Sequence, residues 1–368
     1  MTPMNDSSQI LFISAARPND EGGIFTCRFD SESGALERVT VCDEIPNALY
    51  LTQAPESKNL YAVNDEGSAE TSPSGMIHCL RMNSANGQLR HAGKQSTAGT
   101  TPCFVTVDGR ERYAFVANFR GIGPRTSRGF VSMLPLDGLG KIDPASCVIQ
   151  HPGQSSHPER QTASHPHSIN LDARDRFALV ADLGVDKVYA YEVDWDKGIL
   201  VETEHTAYPA PALTGPRHMA FHPNNRFVYL VNEIGNSVFA YAFDPDTGAL
   251  KDLWRIPTLP GDYTDGSACA DIHVSPDGLF LYVSNRGHDS ITIYRVDPAT
   301  GYLDLLDFVK SGGENPRDFI IDPTGNFLLV ANQSSDKVVI FQRDKTSGLI
   351  EAVDEAPFPA PVCMLFSA

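Results

Sequence analysis

Four side chains with complementary chemistry sit at two recurring positions of this 368-residue chain. His167 and Arg217 each directly follow a proline. Glu233 and Arg286 each directly follow an asparagine that closes an apolar run. An imidazole that is neutral near pH 7 can take a proton. A carboxylate can orient it, and guanidiniums can hold an anion or meet a developing negative charge. Brought into one cleft, these groups would form a site for acid–base chemistry on a small anionic molecule.

Both positions belong to a repeated unit. The stretch 214-TGPRHMAFHPNNRFVYLVNEIGNSVFAYAFDPDTGAL-250 parallels 314-ENPRDFIIDPTGNFLLVANQSSDKVVIFQRDKTSGLI-350. Each runs from a proline through an apolar stretch, a turn, Phe, an apolar run ending in Asn, a polar turn and an alternating strand to Gly-x-Leu/Ile. These ends fall at Gly34, Gly87, Gly140, Gly198, Gly248, Gly301 and Gly348, a period of roughly 50 residues that fits propeller blades. In the unit at 214 the pattern predicts strands at Met219–His222, Phe227–Val231, Val238–Phe243 and Ala249–Ile256. Apolar residues on both strand faces suit sheets packed between neighbouring sheets. The tail 360–368 reads as a lone first strand, and the head 10–36 as a unit lacking its first strand. Together they complete a seventh blade and remove the free edge. The expectation is all-β: one seven-bladed β-propeller domain over 1–368, with little helix.

Propeller geometry then gathers the chemistry. The innermost strand begins where its antiparallel neighbour ends, at one mouth of the central channel. The slot after the opening proline holds Cys103, His167, Arg217, Ala270, Arg317 and Val362. The slot seventeen residues past that proline holds Asp65, Phe119, Leu183, Glu233, Arg286 and Gln333. His167, Arg217 with Glu233, and Arg286 therefore come from three consecutive blades, with Arg317 in the next. Taken singly, Arg217–Glu233 could be a structural ion pair and His167 could serve a loop; taken together they point to a site. Asp271 and His218 share the adjacent slot and could support it. The preceding ring, Asn64, Asn118, Asp182, Asn232, Asn285 and Asn332, is uniform enough to be structural, fixing turns by bonding backbone two residues on. Calcium would want more carboxylates than Asp182 alone. His222 reads as a turn residue. His273 could face a neighbouring blade, and His165 could line the mouth.

The net charge of −17 argues against nucleic-acid binding, although local arginines can still reverse the potential in a pocket. No apolar run is long enough for a membrane helix. The head lacks a basic n-region, so no leader is expected. Seven cysteines without a C-x-x-C read as buried thiols of a cytoplasmic protein. No nucleophile elbow, phosphate loop or H-E-x-x-H occurs. The expected partner is a small anionic substrate, with no nucleic acid or membrane, and the protein is read as a monomer or small homo-oligomer.

The runs 164-SHPHSINLDARDRFALVADLG-184, 215-GPRHMAFHPNNRFVYLVNE-233, 270-ADIHVSPDGLFLYVSNR-286 and 315-NPRDFIIDPTGNFLLVAN-332 resemble the seven-bladed propeller lactonase family. That family includes a bacterial type of 6-phosphogluconolactonase and the fungal carboxymuconate-cyclising enzyme. The resemblance spans essentially the whole chain. It implies a site made of His167, Arg217, Glu233 and Arg286, the four that the repeat isolates. It also implies hydrolysis of a sugar lactone, foremost 6-phosphoglucono-1,5-lactone, with no cofactor and no metal. His167 is then the preferred base, Glu233 orients it or the water, and Arg217 or Arg286 meets the oxyanion. Arg317, Asp271, His218 and Arg125 are the candidate substrate contacts. Arg125 lies in an insertion, 119-FRGIGPRTSRGF-130, which with Arg120 and Arg128 makes a basic loop. The alternatives are a muconate-cyclising enzyme, a lactonase for an unphosphorylated sugar lactone, and a non-catalytic binding propeller. Two irregular stretches, 151–164 and 257–268, have the length of functional loops.

Overall fold

The structure, a computed structural model, describes residues 8–17, 22–67, 73–83, 86–123 and 127–367. Its strands form seven four-stranded antiparallel sheets. Six are consecutive in sequence, at 50–96, 100–149, 166–209, 216–257, 268–310 and 316–357. The seventh takes Pro361–Phe366 as its innermost strand, followed by Ser8–Ala15, Gly23–Asp30 and Leu36–Cys42. Leu11 pairs with Phe366 and Phe12 with Leu365, so the two ends of the chain are joined in one sheet and the ring is closed. The only helical elements among the described residues are two single 3₁₀ turns, Leu183–Val185 and Gln333–Ser335.

The apolar core is divided among the seams. Seven buried clusters each draw on two adjacent blades, which is why both faces of the strands had to be apolar. The Gly-x-Leu/Ile signature has its cause here. Phe177, Phe227, Phe280 and Phe327 each open the second strand of a blade and lie against a glycine of the next blade. A Cβ on Gly348 would come within 2.1 Å of the Phe280 ring, and one on Gly301 within 2.6 Å of Phe227. Both glycines also have φ above +70°, a conformation side chains disfavour. Each buried ring contributes about 1.5–3 kcal/mol.

One departure from the expected strands bears on the site. In the 216–257 blade the first strand is Pro216–Phe221, beginning three residues before the expected Met219. Pro216 pairs with Asn232 and His218 with Val231, so Arg217 is an extra, unpaired residue in a β-bulge. The same shift isolates Cys103, His167 and Arg317, and in the 268–310 blade it spans Ala270 and Asp271. A bulge releases one residue from strand alternation and re-aims its side chain. The slot that varies in chemistry is thus the one the backbone frees from sheet duty.

Candidate active site

Glu233 is the centre of the mouth. Its carboxylate is buried and accepts from Arg217 Nε, and Arg286 Nη2 forms an ion pair with the same Oε2, each at 3.0 Å, while Arg160 Nη2 pairs with Oε1. Burial alone would raise its pKa, but Arg286, Arg160 and Arg217 outweigh that and hold it down at about 2. It is therefore a fixed anion and a poor base. Burial and the neighbouring Arg286 bring the Arg217 guanidinium down to about 10, so it stays charged at neutral pH. Arg286 is braced by its own blade, donating to Ala268 O at 3.2 Å and Cys269 O at 2.9 Å.

His167 lies beside this cluster, with Nε2 3.9 Å from Glu233 Oε2. Its Nδ1 is buried and has no hydrogen-bond partner among the described residues. Burial, then Arg217, His218 and Arg317, hold its pKa well below the usual histidine range. The ring is neutral at pH 7 and can accept a proton. Arg317 faces the same space, and among the described residues its guanidinium makes no hydrogen bond or ion pair.

His218 and Asp271 are placed one layer deeper. His218 Nδ1 donates to Asp271 Oδ1 at 2.7 Å, and its ring meets His167 edge-on at 5.2 Å. Arg217 Nη1 lies 3.2 and 3.3 Å from the two nitrogens of His218, so this pair supports the Arg217 guanidinium from below. The second oxygen of Asp271 accepts from His273 at 2.9 Å, and the His273 ring abuts Phe319 of the next blade. Asp318 occupies the corresponding slot of the next blade. Burial and the adjacent Asp271 push its pKa well above the usual carboxyl range. Further along the innermost strands a cavity of about 290 Å³ includes Tyr50, Asn170, His218 and Asp271 in its lining.

A larger cavity, about 600 Å³, opens beside the cluster between the 100–149 blade and the 151–164 stretch. Arg120, Arg160 and His165 are among its walls. His165 stacks on Phe119 with centroids 4.6 Å apart and donates Nδ1–H to Phe119 O at 2.7 Å, so it does line the mouth. Arg160 is the residue that sequence reasoning missed. The stretch carrying it is anchored by Asp182, whose two oxygens accept from His151 Nδ1, Ser164 Oγ, His165 N and Gly184 N at 2.6–3.0 Å. An asparagine there would present its NH₂ to donors, which accounts for the one acid in an otherwise amide ring.

The other ring members do not bond two residues on as expected. Asn64, Asn118, Asn285 and Asn332 donate to Pro46, Thr97, Thr258 and Ser311, tying down the loop that enters each blade. His222 behaves as a turn residue, accepting from Asn224 N and donating to Gly278 O. Arg125 lies outside the described residues. Arg128 is exposed. No group of three or more potential His, Cys, Asp or Glu metal ligands occurs among the described residues, and no helix there is long and apolar enough to cross a membrane.

A closed seven-bladed ring with a His–Glu–Arg cluster at one mouth defines a class. The family model for lactonases with a seven-bladed β-propeller matches residues 10–366, and the chain belongs to that family of lactone-hydrolysing enzymes. The chain is 31% identical over 298 residues to a 6-phosphogluconolactonase of Bacillus subtilis, covering 81% of this chain and 80% of that one. It is 32% identical over 319 residues to a 6-phosphogluconolactonase of Formosa agariphila, covering 84% and 85%. Its structure is similar to that of a periplasmic gluconolactonase of Pseudomonas aeruginosa, with a TM-score of 0.90, 30% identity, and coverage of 98% and 99%.

Proposed function

We propose that this lactonase hydrolyses 6-phosphoglucono-1,5-lactone to 6-phosphogluconate. The observation that carries the reading is the Glu233 carboxylate fixed between Arg217 and Arg286, with a neutral, under-bonded His167 beside it. Water attacks the lactone carbonyl carbon while His167 takes its proton. Arg217 or Arg286 meets the oxyanion. Collapse of the tetrahedral intermediate breaks the bond to the ring oxygen, which recovers the proton from His167 and becomes the C5 hydroxyl. Glu233 stays ionised and holds the guanidiniums in place.

His167 is a weak base while it is buried and Arg217 and Arg317 face it with no bound anion. A bound anion and the growing oxyanion offset those charges, so the imidazole gains basicity as the reaction proceeds. Names of the relatives support a phosphorylated substrate. A second reading, hydrolysis of unphosphorylated gluconolactone, is favoured by the likeness to the periplasmic enzyme. We further propose a cytoplasmic setting, supported by seven cysteines that are all free thiols.

The test is hydrolysis of freshly generated 6-phosphogluconolactone, measured above its spontaneous rate with and without chelator. Fast, chelator-insensitive turnover is expected. Acceleration of gluconolactone alone would move the assignment to the second reading.

A further inference from the structure

The 600 Å³ cavity abuts the catalytic cluster at two points. Phe119, in its wall, meets the His167 ring edge-on at 5.6 Å, and Arg160 reaches from it to Glu233. Two guanidiniums face this space, and neither is needed by the fold. The Arg160 side chain is 42% exposed and pairs with a carboxylate that Arg217 and Arg286 already hold at 3.0 Å each. Arg120 points both Nε and Nη2 at one neutral acceptor, Thr101 Oγ1, at 3.1 and 2.8 Å. It has no ion pair among the described residues.

Thr101 adds an independent sign. It has φ of +49°, in a slot that Gly215 (+64°), Asn315 (+59°) and Ala360 (+40°) fill before other opening prolines. A β-branched residue is strained in that conformation, and such strain gathers at ligand clamps. What Thr101 supplies in return is the hydroxyl that aims Arg120.

We propose that this cavity is the subsite for the phosphate of the substrate, held between Arg120 and Arg160, with Arg160 passing from Glu233 to the phosphate as substrate binds. This rests on the phosphorylated-lactone reading above. The exchange leaves Glu233 paired to two arginines, so no buried carboxylate is stranded. A phosphate dianion offers enough oxygens for two guanidinium forks. Glu159, also in the wall, opposes an anion, but two guanidiniums outweigh it. Burial holds His165 neutral, and its Nδ1–H is committed to Phe119 O. Its Nε2 is therefore an acceptor for a sugar hydroxyl.

The experiment is calorimetric titration of 6-phosphogluconate and of gluconate, both stable acids, into wild type, Arg120→Ala and Arg160→Ala at one fixed low salt concentration. Wild type is expected to prefer 6-phosphogluconate by about 10-fold or more. Each variant should lose most of that preference while its affinity for gluconate changes less. Arg160→Lys, which keeps charge but not the fork, should recover part of it. Equal wild-type affinity for the two acids, or no detectable binding of 6-phosphogluconate at millimolar concentration, overturns the proposal. So does an unchanged preference in variants that unfold as cooperatively as wild type. Failure of the substrate reading would look different: the binding preference would be intact while 6-phosphogluconolactone hydrolysis is not accelerated.

Discussion

Two rings of side chains circle the same mouth, one residue apart in sequence. Asn64, Asn118, Asp182, Asn232, Asn285 and Asn332 form the first, all at most 1% exposed. Asp65, Phe119, Leu183, Glu233, Arg286 and Gln333 form the second. The first ring is uniform because each amide does the same work, closing a strand and tying down a loop or the next strand. The second shares no common bond, and its chemistry differs from blade to blade: Asp65 accepts from Thr101 N, Leu183 is buried in the core, and Glu233 pairs with Arg286. The bulge slot repeats this contrast on the innermost strands, where Ala270 and Val362 are inert and His167 and Arg217 are reactive groups. Repetition marks what the ring needs. Departure from it marks what the substrate needs, and Asp182 is the informative exception, departing in order to hold the loop that carries Arg160.

The largest effect should come from taking the carboxylate out of the second ring. Glu233→Ala leaves Arg160, Arg217 and Arg286 facing one another without a counter-charge. Loss of about 3–5 kcal/mol of stability is expected in chemical denaturation, together with loss of turnover. A variant as stable as wild type would mean that solvent already screens the arginines. Next in size is a change at a seam far from the mouth. Gly348→Ala forces a methyl group into the Phe280 ring at positive φ, costing about 1–3 kcal/mol. Its kcat per folded molecule should stay near wild type, and a selective fall in kcat would break the separation of scaffold from site. Asn332→Ala, in the uniform ring, loses the bond to Ser311 O and about 1 kcal/mol. It too should show in the melting curve and not in kcat.

A further effect is one of pH. His218 is lowered from 6.5 to about 4 by burial and then Arg217, and His167 is lowered by burial and the same arginine. Between those values the unfolded chain binds protons that the folded chain does not. Their contribution to stability is therefore complete above about 6.5 and falls as pH drops towards 4. His78, lowered to about 4 by burial, adds to this from the scaffold. Denaturation midpoints at several pH values would show the slope, and His218→Gln should flatten part of it. An unchanged slope in that variant would mean that His218 binds its proton equally well in the folded and unfolded chain.

Much of this was legible in the sequence because a repeat supplies its own control. The unit at 214 and the unit at 314 can be compared slot by slot, so Glu233 and Arg286 stand out without any structure. Arg160 could not be found that way, since the 151–164 stretch is longer than the equivalent connections of the other blades and does not align with them residue by residue. Its signal was indirect, an acid at 182 where the other blades carry an amide. The early start of the 216–257 blade was hidden for a different reason. A bulge breaks alternation by one residue, and Pro-Arg-His looks like a loop until Pro216 is seen paired to Asn232. The partners of the asparagine ring also lie on incoming loops 18–27 residues away, beyond the reach of local turn rules.

In the proposed mechanism His167 moves the proton while the repeated framework only positions it. The direct measurement is kcat of His167→Ala on whichever of 6-phosphogluconolactone and gluconolactone wild type turns over faster, with its melting temperature taken alongside. A fall of about 10²–10⁴-fold is expected in a protein that melts close to wild type. Wild-type turnover by a folded His167→Ala protein would contradict it and place the base elsewhere.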